Sequence, residues 1–322
     1  MTLIRWGMIG CGDVTERKSA PAYQQVEGFA LYGLFSRTRA KAEDYAARHG
    51  VPHIFESAEA LIHSPEIDAV YIATPPDSHE AYALEVARAG KPCCIEKPMA
   101  PDYAASVRIR DAFADRGAPL FIAYYRRSLP RFQQIKAWLG EGAIGTVRHI
   151  HWTLTKTASP ADVSARNWRV DGNIAPGGYF DDLASHGLDF FCWLFGDVQD
   201  VAGFAINQQA RYSAADAVTA CWLHKSGVTG SGSWNFGAAE RRDRVEVTGS
   251  EGKILFSIFD EEPVRLLRGD ECIETDVAHP PTIQHFHVEA MRDHLAGRAL
   301  HPSTGESAAH TAWVMDRILS RR

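Results

Sequence analysis

The sequence predicts an α/β domain built on a parallel sheet, followed by an α+β domain built on a largely antiparallel open sheet. Three observations carry this. An apolar run, Ile4 to Ile9, passes directly into Gly10-Cys11-Gly12-Asp13-Val14. Apolar runs and amphipathic helical stretches then alternate as far as residue 123, and strands separated by helices pair in parallel with both sheet faces covered. From residue 124 the alternation yields to strand-like runs joined by short polar or glycine turns, the pattern of antiparallel pairing. The predicted domains are residues 1–123 and 124–322.

In the first domain, the strand Ile4 to Ile9 is followed by a helical stretch from Asp13 that ends before Gly28. Phe29 to Phe35 reads as a strand, and Arg39 to His49 as a helix stopped by Gly50. Ala69 to Ala73 is a buried strand ending at Thr74-Pro75-Pro76, and His79 to Ala89 is a helix closed by Gly90. Pro92 to Ile95 is a short strand, Tyr103 to Ala114 a helix and Leu120 to Ala123 a strand. In the second domain, helices are expected at Leu129 to Leu139 and Phe180 to Leu194, with a long strand from Val147 to Leu154 between them. Strands follow at 198–206, 217–224, 227–234, 244–248, 252–259 and 263–267, then helices at 283–299 and 305–318. Helices on one face leave the other to be covered, and a second subunit is the usual solution. The apolar positions Trp222, Trp234 and Phe236 are expected on that face, which makes a homodimer or homotetramer the expected assembly.

With 322 residues, 45% hydrophobic and 23% charged, the chain can bury two cores. A net charge of −6 and the absence of a Lys/Arg block give no footprint for nucleic acid. No apolar stretch approaches membrane-spanning length. No basic leader precedes the first apolar run, so the expected location is cytoplasmic. The cysteines, at 11, 93, 94, 192, 221 and 272, are dispersed without a CxxC pair and read as buried thiols. No metal site is expected.

The opening turn is where a dinucleotide would be held. Gly10 and Gly12 lack the side chains that would keep a pyrophosphate from the backbone, and the next helix would aim its first N–H groups at the phosphates. The third glycine of the usual pattern is replaced by Thr15, and such turns also occur without a ligand. After the second strand, where an NAD site usually places an acid, the chain has Ser36, Arg37, Thr38 and Arg39. Given a dinucleotide, these residues favour the 2′-phosphate of NADP; otherwise they form a polar loop. Thr74-Pro75-Pro76 suits a contact to the nicotinamide ribose, and equally a structural turn. Glu96-Lys97-Pro98 leaves an apolar strand towards the sheet crevice, where a lysine would favour charge building on a substrate oxygen; a surface ion pair is the plainer alternative. Asp182 and His186, four apart on a predicted helix, share a face. A carboxylate beside an imidazole makes an acid/base pair, although a capping acid and a core histidine would read the same way.

Four segments fit together: Gly7 to Val14, Tyr71 to His79, Glu96-Lys97-Pro98 and Gly177 to His186. With them the chain resembles the Gfo/Idh/MocA oxidoreductases over essentially its whole length, including Tyr124 to Arg127 with Pro130, Gly142 to Val147, and Asn167-Trp168-Arg169. The resemblance implies a Rossmann nucleotide-binding domain and a substrate-binding, oligomerising domain. It implies that Lys97 is catalytic or positions substrate, that Asp182 and His186 are the acid and histidine of the second domain, and that Trp168 and Arg169 lie close to substrate and cofactor. Two departures touch the substrate subclass: Ala175-Pro176 precedes only two glycines, and Ala184 stands in place of the usual glycine. The expected cofactor contacts are then Gly10, Cys11, Gly12, Asp13 and Val14; Ser36, Arg37 and Thr38; Thr74, Pro75, Pro76 and His79; Glu96 and Lys97; and Arg127, Trp168 and Arg169.

The expected activity is NADP-dependent hydride transfer between an alcohol and a carbonyl on a sugar or sugar-like polyol. Catalysis falls to Lys97, Asp182 and His186, and substrate binding to these with Trp168 and Arg169. Within the family the nearest likeness is to NADP-linked sugar and anhydrosugar reductases and dihydrodiol dehydrogenases. A non-catalytic NADP(H) sensor of the same fold is the alternative, against which the joint retention of Lys97, Asp182 and His186 argues. A different Rossmann protein, such as an amino-acid dehydrogenase, would not need the second set of motifs.

Overall fold

The computed structural model describes residues 3–164 and 167–320. They divide into two compact units, one of residues up to 129 with 280–309, the other of 130–279 with the residues from 310.

The first unit holds β1 (Ile4–Ile9), α1 (Asp13–Arg17), α2 (Ala20–Gln25), β2 (Phe29–Phe35), α3 (Arg39–His49) and β3 (His53–Ile54). It continues with α4 (Ala58–His63), β4 (Ala69–Ile72), α5 (His79–Arg88), β5 (Cys93–Ile95), α6 (Tyr103–Arg116) and β6 (Leu120–Ile122). The six strands are all parallel, in the order β3-β2-β1-β4-β5-β6. Strand order reverses between β1 and β4, so the crevice for a ligand opens beyond their carboxyl ends. The helical stretch after Asp13 is two helices, because Pro21 in the first turn of α2 cannot sit inside a continuous helix. The sequence pattern does not announce β3 or α4. Two residues are too few to alternate, and the six-residue α4 is marked only by its cap, Ser57, whose hydroxyl accepts from the Ala60 N–H at 3.0 Å.

The second unit holds α7 (Pro130–Gly140), β7 (Val147–Thr155), α8 (Tyr179–Phe195), β8 (Val198–Ile206), β9 (Ala217–His224) and β10 (Thr229–Asn235), then β11 (Arg242–Gly249), β12 (Lys253–Phe256), β13 (Val264–Arg268) and β14 (Glu271–Thr275). The sheet runs β14-β13-β12-β11-β7-β10-β9-β8, antiparallel except for the β7–β10 pair. That pair is parallel because α8, β8 and β9 intervene in sequence and supply the crossover. The edge strand β14 escaped prediction because four of its five residues are exposed and show no alternation.

The helix His285–Leu295 corrects the predicted division at 123/124. Val288 and Met291, three apart on one helix face, are fully buried with Trp6, Tyr23 and Tyr71 in the first unit's core. A bridge from Phe121 to Thr304 adds to the same unit. The expected docking face needs a second correction. Trp222, Trp234 and Phe236 are buried within the second unit. The Phe191 and Trp222 rings stack at 6.2 Å, and Phe180 meets Trp234 edge-on at 5.0 Å. Gly230 and Gly232 make room for these indoles, since a Cβ at either would come within 2.3 Å of a ring. The opposite sheet face is polar. On it the His149 and His151 rings reach Ser231 Oγ at 2.9 and 2.8 Å. Cys221 and Cys272 are exposed rather than buried.

His301 and His287 pack edge to face, 4.7 Å apart, in the first unit. The His301 Nδ1 lies 2.9 Å from the Ser303 carbonyl and 3.0 Å from the Ser303 N–H. Burial lowers His301 to about 4 and His287 and His79 below the ordinary 6.5. The native state therefore lacks protons that the unfolded chain takes up below pH 6.5. Stability is full above that value and falls as the pH drops from 6.5 towards 4, by on the order of 3 kcal/mol for His301 alone. Urea unfolding between pH 7.5 and 5 is expected to show this decline, and a flat profile would contradict it.

Candidate active site

Three loops at the carboxyl ends of β1, β2 and β4 form a pocket. The first brings Gly10, Cys11 and Gly12, the second Ser36, Arg37, Thr38 and Lys41, the third Thr74 and Pro75, with Tyr82 beside them. Gly10 has φ +96°, and a Cβ there would lie 2.9 Å from the Ala73 carbonyl, so the turn itself demands glycine. Gly12 is different, because a Cβ there would meet no protein atom within 4 Å. Its bare backbone is not required by packing and suits the close approach of a pyrophosphate. Thr15, at the third glycine position, is buried and turns its hydroxyl back onto the Gly12 carbonyl at 2.7 Å. With α1 only five residues long, the N–H groups of the turn matter more here than a helix dipole.

No carboxylate lines this pocket among the described residues, and Arg37 and Lys41 bring two cations to it. These residues fit a 2′-phosphate. Arg39 does not join them, since it pairs with Glu43 and Glu56 at 2.8 Å. Lys41 was missed, and its signal is its place in the first turn of α3, three residues beyond Thr38.

Several expected contacts are not among the residues that line this pocket. Asp13, Val14 and Pro76 are not in the pocket lining. His79 is completely buried, with Nε2 2.7 Å from the Thr74 carbonyl and Nδ1 3.1 Å from that of Pro98. It ties two loops together. Arg127 is buried and donates to the Pro302 carbonyl at 2.7 Å. Glu96 is 5% exposed and is engaged from within the first unit by Tyr71 and Gln284. Lys97 follows it, half-buried at the exit from β5.

In the second unit, Gly178 opens α8 with φ +64°, and a Cβ there would come 2.4 Å from the Ala215 carbonyl. Asp181 closes the turn by accepting from the Gly177 N–H at 2.9 Å. Asp182 and His186 follow on one face of α8, both buried. Asp182 Oδ2 accepts from Arg169 Nε at 2.5 Å, and the Arg169 guanidinium lies 4.6 Å from the Trp168 ring centre. Four expected site residues thus fall into one unit, with Arg169 as an anchor for Asp182 that residue spacing did not reveal. The His186 ring meets Phe259 edge-on at 5.8 Å. Tyr179 donates to Asp162 at 2.6 Å, and burial pushes its hydroxyl up to about 12, so it remains a donor. Asn167 joins this loop to α8, donating to the Tyr179 oxygen at 3.0 Å.

Comparison with known proteins bears on both units. Residues 4–124 match the oxidoreductase family with an NAD-binding Rossmann fold, and residues 132–255 match the GFO/IDH/MocA C-terminal domain. Oxidoreductase P35 of Formosa agariphila is 34% identical over 317 residues, which span 97% of each chain. The chain belongs to the Gfo/Idh/MocA oxidoreductase family. Another curated relative in this comparison is the inositol 2-dehydrogenase of Acidothermus cellulolyticus, 26% identical over 96% of this chain and 89% of that protein. Among solved structures, the biliverdin reductase of Synechocystis, in complex with biliverdin and NADP+, superposes with a TM-score of 0.81 at 25% identity, covering 97% of each chain. As a Gfo/Idh/MocA protein, the chain is an NAD(P)-dependent oxidoreductase with a Rossmann domain and a largely antiparallel second domain. Among the described residues, no helix is long and apolar enough to cross a membrane.

Proposed function

We propose that this oxidoreductase uses NADP(H) to interconvert an alcohol and a carbonyl on a sugar or sugar-like polyol. The observation that carries the reading is the arrangement on α8, where Asp182 is anchored by Arg169 and shares a helix face with His186. In this reading His186 exchanges the proton of the substrate hydroxyl, and Asp182 orients it. Lys97 brings positive charge to the oxygen on which charge develops. Trp168 offers an apolar wall to a sugar ring. Bound NADP(H) supplies or accepts the hydride. The inositol dehydrogenase among the relatives supports a polyol, and the biliverdin reductase complex supports NADP. The test is a panel of aldoses, ketoses, anhydrosugars, inositols and aromatic dihydrodiols, followed by NADPH absorbance. Turnover on a member of the panel is the expected result. Tight NADP(H) binding with no turnover on any of them would favour a sensor.

The pocket cations give a separate expectation. Replacing Arg37 by alanine should weaken NADP(H) by about 1–3 kcal/mol and leave NAD(H) nearly unchanged. Fluorescence titration of both cofactors checks it, and tighter binding of NAD(H) than NADP(H) by the unaltered protein would sink the assignment. We also propose a homodimer or homotetramer, in which the polar outer face of the second unit's sheet, with Phe204 and Ile206 exposed on its edge strand, meets another copy. A sedimentation mass equal to a single chain at micromolar concentration would refute it. A cytoplasmic location is part of the same proposal.

A further inference from the structure

We infer that Gln284 is a positioning residue for Lys97, acting through Glu96; the inference rests on the role proposed above for Lys97. The Glu96 carboxylate is buried and surrounded by donors. Its Oε1 accepts from the Tyr71 hydroxyl and from the Gln284 amide, each at 2.7 Å, and its Oε2 accepts from the Lys97 N–H at 3.3 Å. Both side-chain donors are neutral, so they fix the carboxylate in place without cancelling its charge, one residue from the Lys97 ammonium.

Gln284 is well placed to hold this position. It is completely buried. Its own N–H donates to the Lys18 carbonyl at 3.0 Å, and its carbonyl accepts from the Val288 N–H at 3.0 Å, where the helix His285–Leu295 begins. A flipped amide would set its oxygen against the Glu96 oxygen, so the carboxylate selects the orientation that donates. Tyr71 is equally constrained, buried and stacked on Tyr23 at 4.9 Å. On the far side of Lys97, the buried His79 ring meets the Pro98 carbonyl at 3.1 Å. The residues flanking Lys97 are thus gripped on both sides, and part of the hold on Glu96 comes from a segment, residues 280–309, that returns to the first unit after residues 130–279 of the second.

Glutamine suits this task chemically. A lysine or arginine would neutralise Glu96, a glutamate would repel it, and a methionine would fill the space without donating. The experiment compares the full-length protein with Gln284→Met and Tyr71→Phe. Three quantities are measured: steady-state kinetics on the substrate found in the panel, NADP(H) affinity, and amide hydrogen exchange by peptide. Either substitution is expected to lower kcat roughly 10–100-fold, with NADP(H) affinity and melting temperature close to those of the unaltered protein. Exchange is expected to accelerate in the peptide spanning residues 95–99 and to stay unchanged in β1 and β2. Unchanged kcat with unchanged exchange would overturn the inference. So would a general rise in exchange with a fall in melting temperature, which is what a purely structural residue would give. If the unaltered protein turns over nothing in the panel, the proposed function fails on its own account. Local loss of protection at 95–99 then supports the positioning of that segment, and its absence overturns it.

Discussion

His186→Ala is expected to lower turnover by roughly 10²–10⁴-fold while NADP(H) still binds. The size follows from the role: a positioned group that exchanges the hydroxyl proton contributes about this much to a rate, and alanine leaves water to do the work. The ring is 4% exposed and packs against Phe259, so part of any loss could come from the cavity left behind. His186→Gln separates the two effects, because it preserves most of the volume and a polar end without a comparable proton exchanger. Both variants should lose kcat, and the glutamine variant should retain more of the melting temperature. Full turnover by either one, on a substrate the unaltered enzyme uses, would remove His186 from the mechanism.

Lys97→Ala should do comparable damage by a different route. Loss of a donor aimed at developing oxyanion charge typically costs on the order of 10²–10³ in kcat. Lys97 sits half-buried at the carboxyl end of β5, where a charge is less screened than at the surface. Its neighbour Glu96 is held by Tyr71 and Gln284 whether or not the lysine is present, so the alanine variant should fold and bind cofactor. Steady-state kinetics with a parallel NADPH titration checks this. A variant that keeps its kcat would show that Lys97 serves only the structure of the loop.

The site was legible in the sequence wherever its geometry is local. Gly10 and Gly12 lie in a strand-to-helix turn, and Asp182 and His186 share a face because they are four apart on a helix. Ser36, Arg37 and Thr38 follow the second strand directly, so their place in the pocket needed no knowledge of the rest of the chain. The orientation of His79 was not legible, because its neighbours in sequence line the pocket while its ring turns inward, to the Thr74 and Pro98 carbonyls. Lys41 was missed for the opposite reason: a lysine in the first turn of α3 looks like any solvated charge until the loop before it is folded back.

By itself the sequence determined the alternation of strands and helices in the first unit, the strand-rich second unit, the glycine turn and the α8 pair. Each depends on periodicity or spacing over a few residues, which backbone geometry converts directly into structure. Only the tertiary structure decided that Trp222 and Trp234 turn inward, beneath α8, instead of offering a docking face. Alternation along a strand says that one face is apolar, but not which layer will cover it. The tertiary structure also decided that residues 280–309 return to the first unit, bringing Gln284 to Glu96 across 188 positions of sequence. A contact of that span leaves no local signature, because it is made by the packing of Val288 and Met291 into a distant core and not by any preference of the residues beside it.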